Sequence, residues 1–317
     1  MTRILLLGGT GFIGRSVCER LVRRGQGAAG RLIVPTRRQQ HANAVRALPG
    51  TEVLQVDLHD DAQLRRLLAD CDVVVNLVGV LHGDAAAFQR AHVDLPRRIA
   101  QMAQALGGRR VLHVSALGVG PNAPSRYLRS KTEGEAALRA SGLPLTLLRP
   151  SVVFGAEDRF LNLFAALQRV LPVMLLAGAE ARFQPVWVED VAEAIVRAID
   201  TPASIGAVYE CAGPQVFSLR ELVQLAGRWA GHPRPVIGLP GPLGRMQATL
   251  LGLWPAPLMS RDNLDSMATP NVAGGELPGL TALGIRPAAL SQVVPDDLGG
   301  RSGCARLDAL RAAGRRG

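Results

Sequence analysis

The sequence predicts an α/β fold: a doubly wound parallel sheet followed by a smaller C-terminal lobe. Three observations predict it. The chain opens on an unbroken apolar run, Ile4-Leu5-Leu6-Leu7, that turns at once into Gly8-Gly9-Thr10-Gly11-Phe12-Ile13-Gly14. Short apolar runs then alternate with longer amphipathic stretches as far as Arg149-Pro150, the rhythm of βαβ units. After Ser151 that rhythm loosens, and Pro and Gly become dense from Gly231 onward.

Arg3–Leu7 reads as a strand of a covered parallel sheet, because it does not alternate. Gly8, Gly11 and Gly14 follow it at even spacing, and an amphipathic helix runs from Phe12 to about Arg24. Glycines there permit a tight turn. They also let the backbone approach a pyrophosphate at the helix start, where free N–H groups and the helix dipole favour anions. Thr10, Phe12 and Ile13 contribute amides to the same turn. This is a Rossmann-type beginning, and it implies a dinucleotide.

Arg31–Pro35 is the second strand. A site for NAD usually carries an acid just after it, to hold the ribose hydroxyls. Here the chain reads Thr36-Arg37-Arg38. Two guanidiniums suit a 2′-phosphate, so NADP(H) is the expected cofactor, with NAD(H) the alternative. Val53–Val56 is the third strand, leading into Asp57-Leu58, and Ala62–Leu68 a helix. The fourth strand is Val73–Val78, ending in Gly79. A long helix is expected from about Ala85 to Leu106, a fifth strand at Arg110–Val114 ending in Ser115, a helix from about Ser125 to Ala140, and a sixth strand at Leu145–Leu148. Residues 1–150 form the expected dinucleotide domain.

Residues 151–298 are expected to form a lobe interwoven with the first domain and shaping a substrate cleft. Phe160–Val170, Glu189–Ile199 and Leu219–Trp229 read as helices, Arg182–Val188 and Ala207–Glu210 as strands. Residues 299–317 are Gly- and Arg-rich and are expected to be disordered.

Composition narrows the function classes. Of 317 residues, 48% are hydrophobic, ample for a packed core. Aromatics are only 4%, little material for stacking nucleobases, so no specific nucleic-acid binding is expected. The net charge of +10 comes from scattered arginines and reads as a solvated surface. Cys18, Cys71, Cys211 and Cys304 share no metal-ligand spacing, so no metal is expected, and reduced thiols point to the cytoplasm. Leu163–Ala179 is interrupted by Arg169 and Pro172, and Val236–Leu258 by Arg245 and several Gly and Pro. Neither reads as a membrane span, but the second could lie on the inner face of a membrane or under a partner.

The residues with the most distinctive chemistry lie in Ser125-Arg126-Tyr127-Leu128-Arg129-Ser130-Lys131. Lys131 is the chain's only lysine, and Tyr127 is one of two tyrosines. On a helix their spacing puts both on one face. A free phenol titrates near about 10, and a nearby ammonium would lower that value toward a usable acid–base group. His113, within a strand, reads as a packed core residue; His82 and His92 lie on the side of the expected cleft. Glu157-Asp158-Arg159 reads as a solvated loop.

Tyr127 and Lys131, with Ser115 and Gly8/Gly11/Gly14, resemble the short-chain dehydrogenase/reductase superfamily. The likeness is to its extended or atypical branch, near the NAD-dependent epimerase/dehydratases. Gln184-Pro185-Val186-Trp187-Val188-Glu189-Asp190-Val191-Ala192 sits in that family's order. Within the branch, Asn76–Leu81, His113–Gly118, Ser125–Lys131, Arg149–Phe160 and Arg261-Asp262-Asn263-Leu264 are most similar to bacterial relatives of the NADPH-carrying accessory subunit of respiratory complex I. The resemblance spans about Met1 to Leu298.

It implies that Ser115 hydrogen-bonds a substrate oxygen, that Tyr127 exchanges the proton, and that Lys131 holds the nicotinamide ribose and lowers the tyrosine pKa. It implies that Gly8, Gly11 and Gly14 cradle the pyrophosphate, with Asp57 and Leu58 flanking the adenine. Val78 and Gly79 belong to the same dinucleotide site, and Pro150, Ser151, Val152 and Val153 would lie near the nicotinamide. Two departures stand out: His92 where extended members often carry an asparagine, and a short loop from Ser115 to Tyr127. Both make a UDP-sugar substrate less expected. Two functions follow, the first preferred. One is an NADP(H)-linked oxidoreductase acting on a small carbonyl, alcohol or quinone-type acceptor. The other is a non-catalytic NADPH-binding subunit serving a respiratory complex or its assembly.

Overall fold

Apolar runs that do not alternate need cover on both faces, and a parallel sheet between helix layers supplies it. The structure, a computed structural model, describes residues 2–25, 31–252 and 259–298. Seven strands form one sheet: β1 (Ile4–Leu7), β2 (Leu32–Thr36), β3 (Thr51–Gln55), β4 (Val73–Asn76), β5 (Arg110–Val114), β6 (Leu145–Pro150) and β7 (Val208–Cys211). Their order in space is β7-β6-β5-β4-β1-β2-β3, and every pairing is parallel. β1 and β4 are fully buried. β3 lies at the edge and is half buried along most of its length, with polar Thr51, Glu52 and Gln55 that an edge strand tolerates.

The order reverses between β1 and β4, where Leu7 lies in register with Asn76. In open sheets of this kind the crevice at that switch point takes the ligand. All seven strands point their carboxyl ends to the same edge, so the turns after Leu7, Thr36, Gln55, Asn76 and Val114 gather there. The fourth strand ends earlier than its apolar run suggests. Asn76 turns the chain by accepting the Val78 amide through Oδ1 at 3.1 Å.

Helices α1 (Phe12–Arg24), α2 (Asp61–Ala69), α3 (Leu95–Ala105) and α4 (Arg126–Ala140) connect these strands. Asp60 caps α2, and Ser125 caps α4 by accepting the Leu128 amide. The long helix expected over 85–106 is in three pieces. Ala85–Phe88 is α-helical, Gln89–Asp94 is a π-helix, and α3 completes it. A wider turn of this kind inserts an extra residue and re-aims the side chains around it.

The chain divides into two units. The first gathers Met1–Pro150, Val188–Cys211 and Ala273–Arg286; the second gathers Ser151–Trp187, Ala212–Val272 and Pro287–Gly317. Ala207–Glu210, expected in the smaller lobe, therefore returns as β7 beside β6, with Tyr209 opposite Leu148. The helix Val188–Asp200 returns with it. Arg20 on α1 grips it through Glu189 at 2.9 Å and Glu193 at 2.6 Å. Arg110 on β5 donates to the Ala198 and Ile199 carbonyls near its end, where the dipole favours a cation.

The second unit is built around Phe154, Leu161, Phe164, Leu176, Leu219, Leu222 and Val223. The strand expected over Arg182–Val188 is two short pieces, Arg182–Phe183 and Val186–Trp187, in separate ladders. Asp158 is not solvated as expected. It is buried and accepts the amides of Phe160 and Leu161 at the start of the helix Leu161–Val170. The tail 299–317 with Cys304, and Leu253–Leu258 of the apolar segment, lie outside the described residues.

One contact fixes α4 against the π-helical segment. A Cβ on Gly134 would lie 2.0 Å from the His92 carbonyl oxygen. Replacing Gly134 by Ala should cost about 1–3 kcal/mol or more through overpacking against backbone. A Cβ on Gly120 meets nothing within 4 Å, so Gly120→Ala should leave stability within about 1 kcal/mol of the parent. Urea denaturation of the two variants checks the contrast.

Candidate functional site

The glycine turn closes on itself before α1 begins. Gly11 N–H donates to the Gly8 carbonyl at 3.0 Å, and Gly8 has φ +84°. A Cβ on Gly14 would stand 2.3 Å from the Gly8 oxygen, so no larger residue fits. Gly11 caps α1 with no side-chain hydrogen bond, and the first turn holds no acid. The amides of Phe12, Ile13 and Gly14 therefore present an uncapped, electropositive end. The turn touches the exit of β4: Leu77 N–H donates to Leu7 O at 2.9 Å, and a Cβ on Gly8 would lie 3.1 Å from Leu77. Val78 thus stands beside the glycine turn, and Gly79 follows it.

Around this turn the same sheet edge carries the outer candidates. Arg37 and Arg38 follow β2, both exposed, and among the described residues neither guanidinium has an ion-pair partner. The Thr36 hydroxyl shapes the turn they occupy through Arg38 N and O. Asp57 follows β3, exposed, its carboxylate accepting the His59 amide at 2.9 Å. Leu58 packs on the core. Pro150 closes β6 in the first unit. Ser151, Val152 and Val153 fall in the second unit, where Asn271 Oδ1 accepts from Ser151 Oγ and from Val152 N–H.

Lys131 and Ser115 lie at the ends of β4 and β5. Lys131 is buried, and its Nζ donates to the Val114 carbonyl at 3.1 Å. A Cβ on Gly79 would sit 3.2 Å from that Nζ. Burial pulls the Lys131 ammonium down to about 8, against the upward pull of Glu135. Glu135 itself is held by Arg149 at 2.9 and 2.6 Å. Ser115, next to Val114, keeps a buried hydroxyl with no hydrogen-bond partner among the described residues. A buried donor left open in this way is costly and marks a place where a ligand oxygen would be welcome.

The expectation that Lys131 lowers the Tyr127 phenol is not met. Burial pushes that phenol up to about 12. The ring stands edge-on to His92 at 5.4 Å and to Phe88 at 6.2 Å, an apolar setting that penalises phenolate. Burial alone sets that shift; the Lys131 ammonium, bonded to the Val114 carbonyl, does not offset it.

His92 lies deeper than a cleft residue. It is 1% exposed, accepts the Val80 amide at Nε2 (3.0 Å) and meets Ser130 Oγ at Nδ1 (2.9 Å). Burial, then Lys131, lowers its pKa to about 3. His113 is buried as expected and bonds Asn76 Nδ2 at 3.1 Å. His82 is half-buried in the loop after β4. The sequence offers no role for Phe88 or Gly134, and Asn76 and Ser130 enter it only within longer strings. The only signal for Asn76 was a polar residue closing an apolar run.

With this geometry in view, the chain belongs to the NAD dependent epimerase/dehydratase family, whose model it matches over residues 4–212. The chain is 33% identical over 294 residues to mouse (Mus musculus) subunit 9 of the mitochondrial NADH dehydrogenase (ubiquinone) 1 alpha subcomplex, covering 90% of this chain and 76% of that one. It is 30% identical over 255 residues to a ceramide reductase of Caulobacter vibrioides, covering 79% and 78%. In structure it resembles an NADPH-dependent quinone oxidoreductase of Escherichia coli solved with NADPH, at TM-score 0.74 and 23% identity, covering 91% and 97%; at that identity the likeness shows the fold.

The two buried imidazoles set a pH dependence. Both His92 and His113 have folded pKa values below the ordinary 6.5. As pH falls through 6.5 the unfolded chain takes up protons that the folded chain refuses, so stability declines with acid and is full above that value. The urea midpoint should fall measurably between about pH 7 and about pH 5, above most carboxylate titrations. A flat profile there would mean that neither ring is held neutral.

Proposed function

We propose that this protein holds NADP(H) as a resident ligand and serves as an accessory or assembly subunit of a respiratory NADH dehydrogenase. The observation that carries this reading is the likeness to the mouse complex subunit along nine-tenths of the chain. Burial pushes the Tyr127 phenol up to about 12, whereas a proton-transferring group works best with a pKa near the operating pH.

The residues present fit the dinucleotide. The uncapped amides of Phe12, Ile13 and Gly14 would hold the pyrophosphate, in a turn that a Cβ at Gly14 would fill. Arg37 and Arg38 would hold the 2′-phosphate. Asp57 and Leu58 would border the adenine. Val78, Gly79 and Lys131 would meet the nicotinamide-side ribose. A ligand bound only by the folded state stabilises it by mass action, about 2.7 kcal/mol at a hundredfold excess over Kd. Among the described residues no helix is long and apolar enough to cross a membrane, so association with a respiratory complex would be peripheral, at the inner face of the membrane.

A second reading, a reductase of a carbonyl or quinone-type acceptor, is favoured by one observation: the open, buried Ser115 hydroxyl. The ceramide reductase likeness supports it too. Bound NADPH would supply a hydride. Ser115 would donate to the acceptor oxygen and Tyr127 would deliver the proton.

Thermal shift and direct titration separate the readings. NADPH should raise Tm by several degrees. Replacing Arg37 and Arg38 together by Ala should weaken NADPH about tenfold or more and leave NADH nearly unchanged. Tyr127→Phe should bind NADPH as the parent does, and the parent should not oxidise NADPH when offered quinones, aldehydes or ketones. Turnover abolished by Tyr127→Phe would instead establish the reductase.

A further inference from the structure

We propose that His92 is a positioning residue: its neutral imidazole, protonated at Nδ1, ties the loop leaving β4 to the first turns of α4 and so sets where Tyr127 and Lys131 stand. The consequence for ligand binding rests on the dinucleotide reading above. The structural claim does not.

The hydrogen bonds allow one proton assignment. Val80 N–H can only donate, so His92 Nε2, 3.0 Å away, must offer its lone pair. The Ser130 hydroxyl gives its single proton to the Tyr127 carbonyl at 2.8 Å. Toward His92 Nδ1, 2.9 Å away, it can only accept. Nδ1 therefore carries the hydrogen. The result is an unbroken chain from the Val80 amide through the imidazole and Ser130 to the backbone of Tyr127.

The ring also packs by its faces. Phe88 stacks on it at 5.6 Å and 23°, and Tyr127 meets it edge-on at 5.4 Å and 82°. On the other side lies Gly79. A Cβ there would be 3.4 Å from His92 Nε2 and 3.2 Å from Lys131 Nζ, so both nitrogens flank one glycine at the edge of the candidate crevice. The π-helical turn Gln89–Asp94 carries the ring, and Gly134 lets α4 close onto the His92 carbonyl.

The arrangement works only uncharged. Lys131 and His113 both act on the ring's charge or have theirs acted on by it, and Tyr127 shares its face. An imidazolium would withdraw the acceptor from Val80 and place a second cation beside Lys131. An asparagine side chain is shorter, offers no ring to Tyr127 and cannot span Val80 and Ser130 at these distances.

Nitrogen NMR of the full chain labelled in histidine reads the claim directly. One histidine should show the Nδ1–H tautomer without titrating between about pH 8 and about pH 5.5, and His92→Phe should remove that signal. An Nε2–H tautomer, or titration near 6.5, would overturn the proposal. Ultraviolet titration of the phenols supplies a second readout. In His92→Ala the Tyr127 phenol should fall from about 12 toward about 10 as water replaces the ring; an unmoved phenol would reduce His92 to core filling and overturn the proposal.

Ser130→Ala, which removes only a hydroxyl, keeps the test usable where His92→Ala does not fold: its His92 signal should lose the fixed tautomer. NADPH should bind about tenfold more weakly to His92→Ala and to Ser130→Ala, and no more weakly to the double variant than to the weaker single one. Additive losses would contradict a shared chain. Failure of the parent to bind NADPH would refute the dinucleotide reading alone, leaving the NMR and phenol results to judge His92.

Discussion

A buried ammonium resting on the carbonyl of a strand's last residue organises this fold's chemistry. Lys131 is 5% exposed, and burying a charge costs several kcal/mol unless partners replace the water. Val114 O is one such partner. Glu135, one helical turn further along α4, supplies the opposite charge, though Arg149 takes both of its oxygens. The balance leaves Lys131 a cation near neutral pH but an easily perturbed one, at about 8. Arginine could not play this part. Its planar fork is larger than the compact ammonium packed beside Gly79, and its charge would not yield to burial. The chain's single lysine stands where a compact point charge must be packed.

From that anchor the rest of α4 follows. Its Gly134 face closes on the His92 carbonyl, its Ser130 hydroxyl joins the imidazole, and its first turn carries Tyr127 against Phe88 and His92. These contacts pack the Tyr127 ring, and burial makes its phenol poorly ionisable. A site built to move protons needs a phenol that ionises readily, and burial works against that here. That favours binding over turnover as the role of the crevice. Ser115, with its unanswered hydroxyl, is the one group that argues the other way.

Much of this was legible in the chain. The glycine turn, the buried strand before it and the Tyr127/Lys131 face of α4 follow from local spacing alone, and the helix over Leu219–Trp229 has the bounds its periodicity predicts. Other features were not legible, for physical reasons. A π-helical turn shifts side chains without altering the apolar pattern enough to reveal it. Val208–Cys211 is four residues long, and its place beside β6 is decided by packing that no local pattern encodes. Asn76 and Ser130 each join a partner far off in sequence: Asn76 meets His113, 37 residues away, and Ser130 meets His92, 38 residues away. The lowered phenol failed for a related reason. Spacing places an ammonium near a phenol, but only three dimensions show that burial outweighs it.

The central claim is that NADP(H) resides in this protein. Acid extraction and mass spectrometry of protein purified without added nucleotide tests it most directly. About one NADP(H) per chain is the predicted result, as tight binding to the folded state alone requires. Protein that carries NAD(H) instead, or that folds stably with no dinucleotide and gains no stability when NADPH is supplied, would contradict the account.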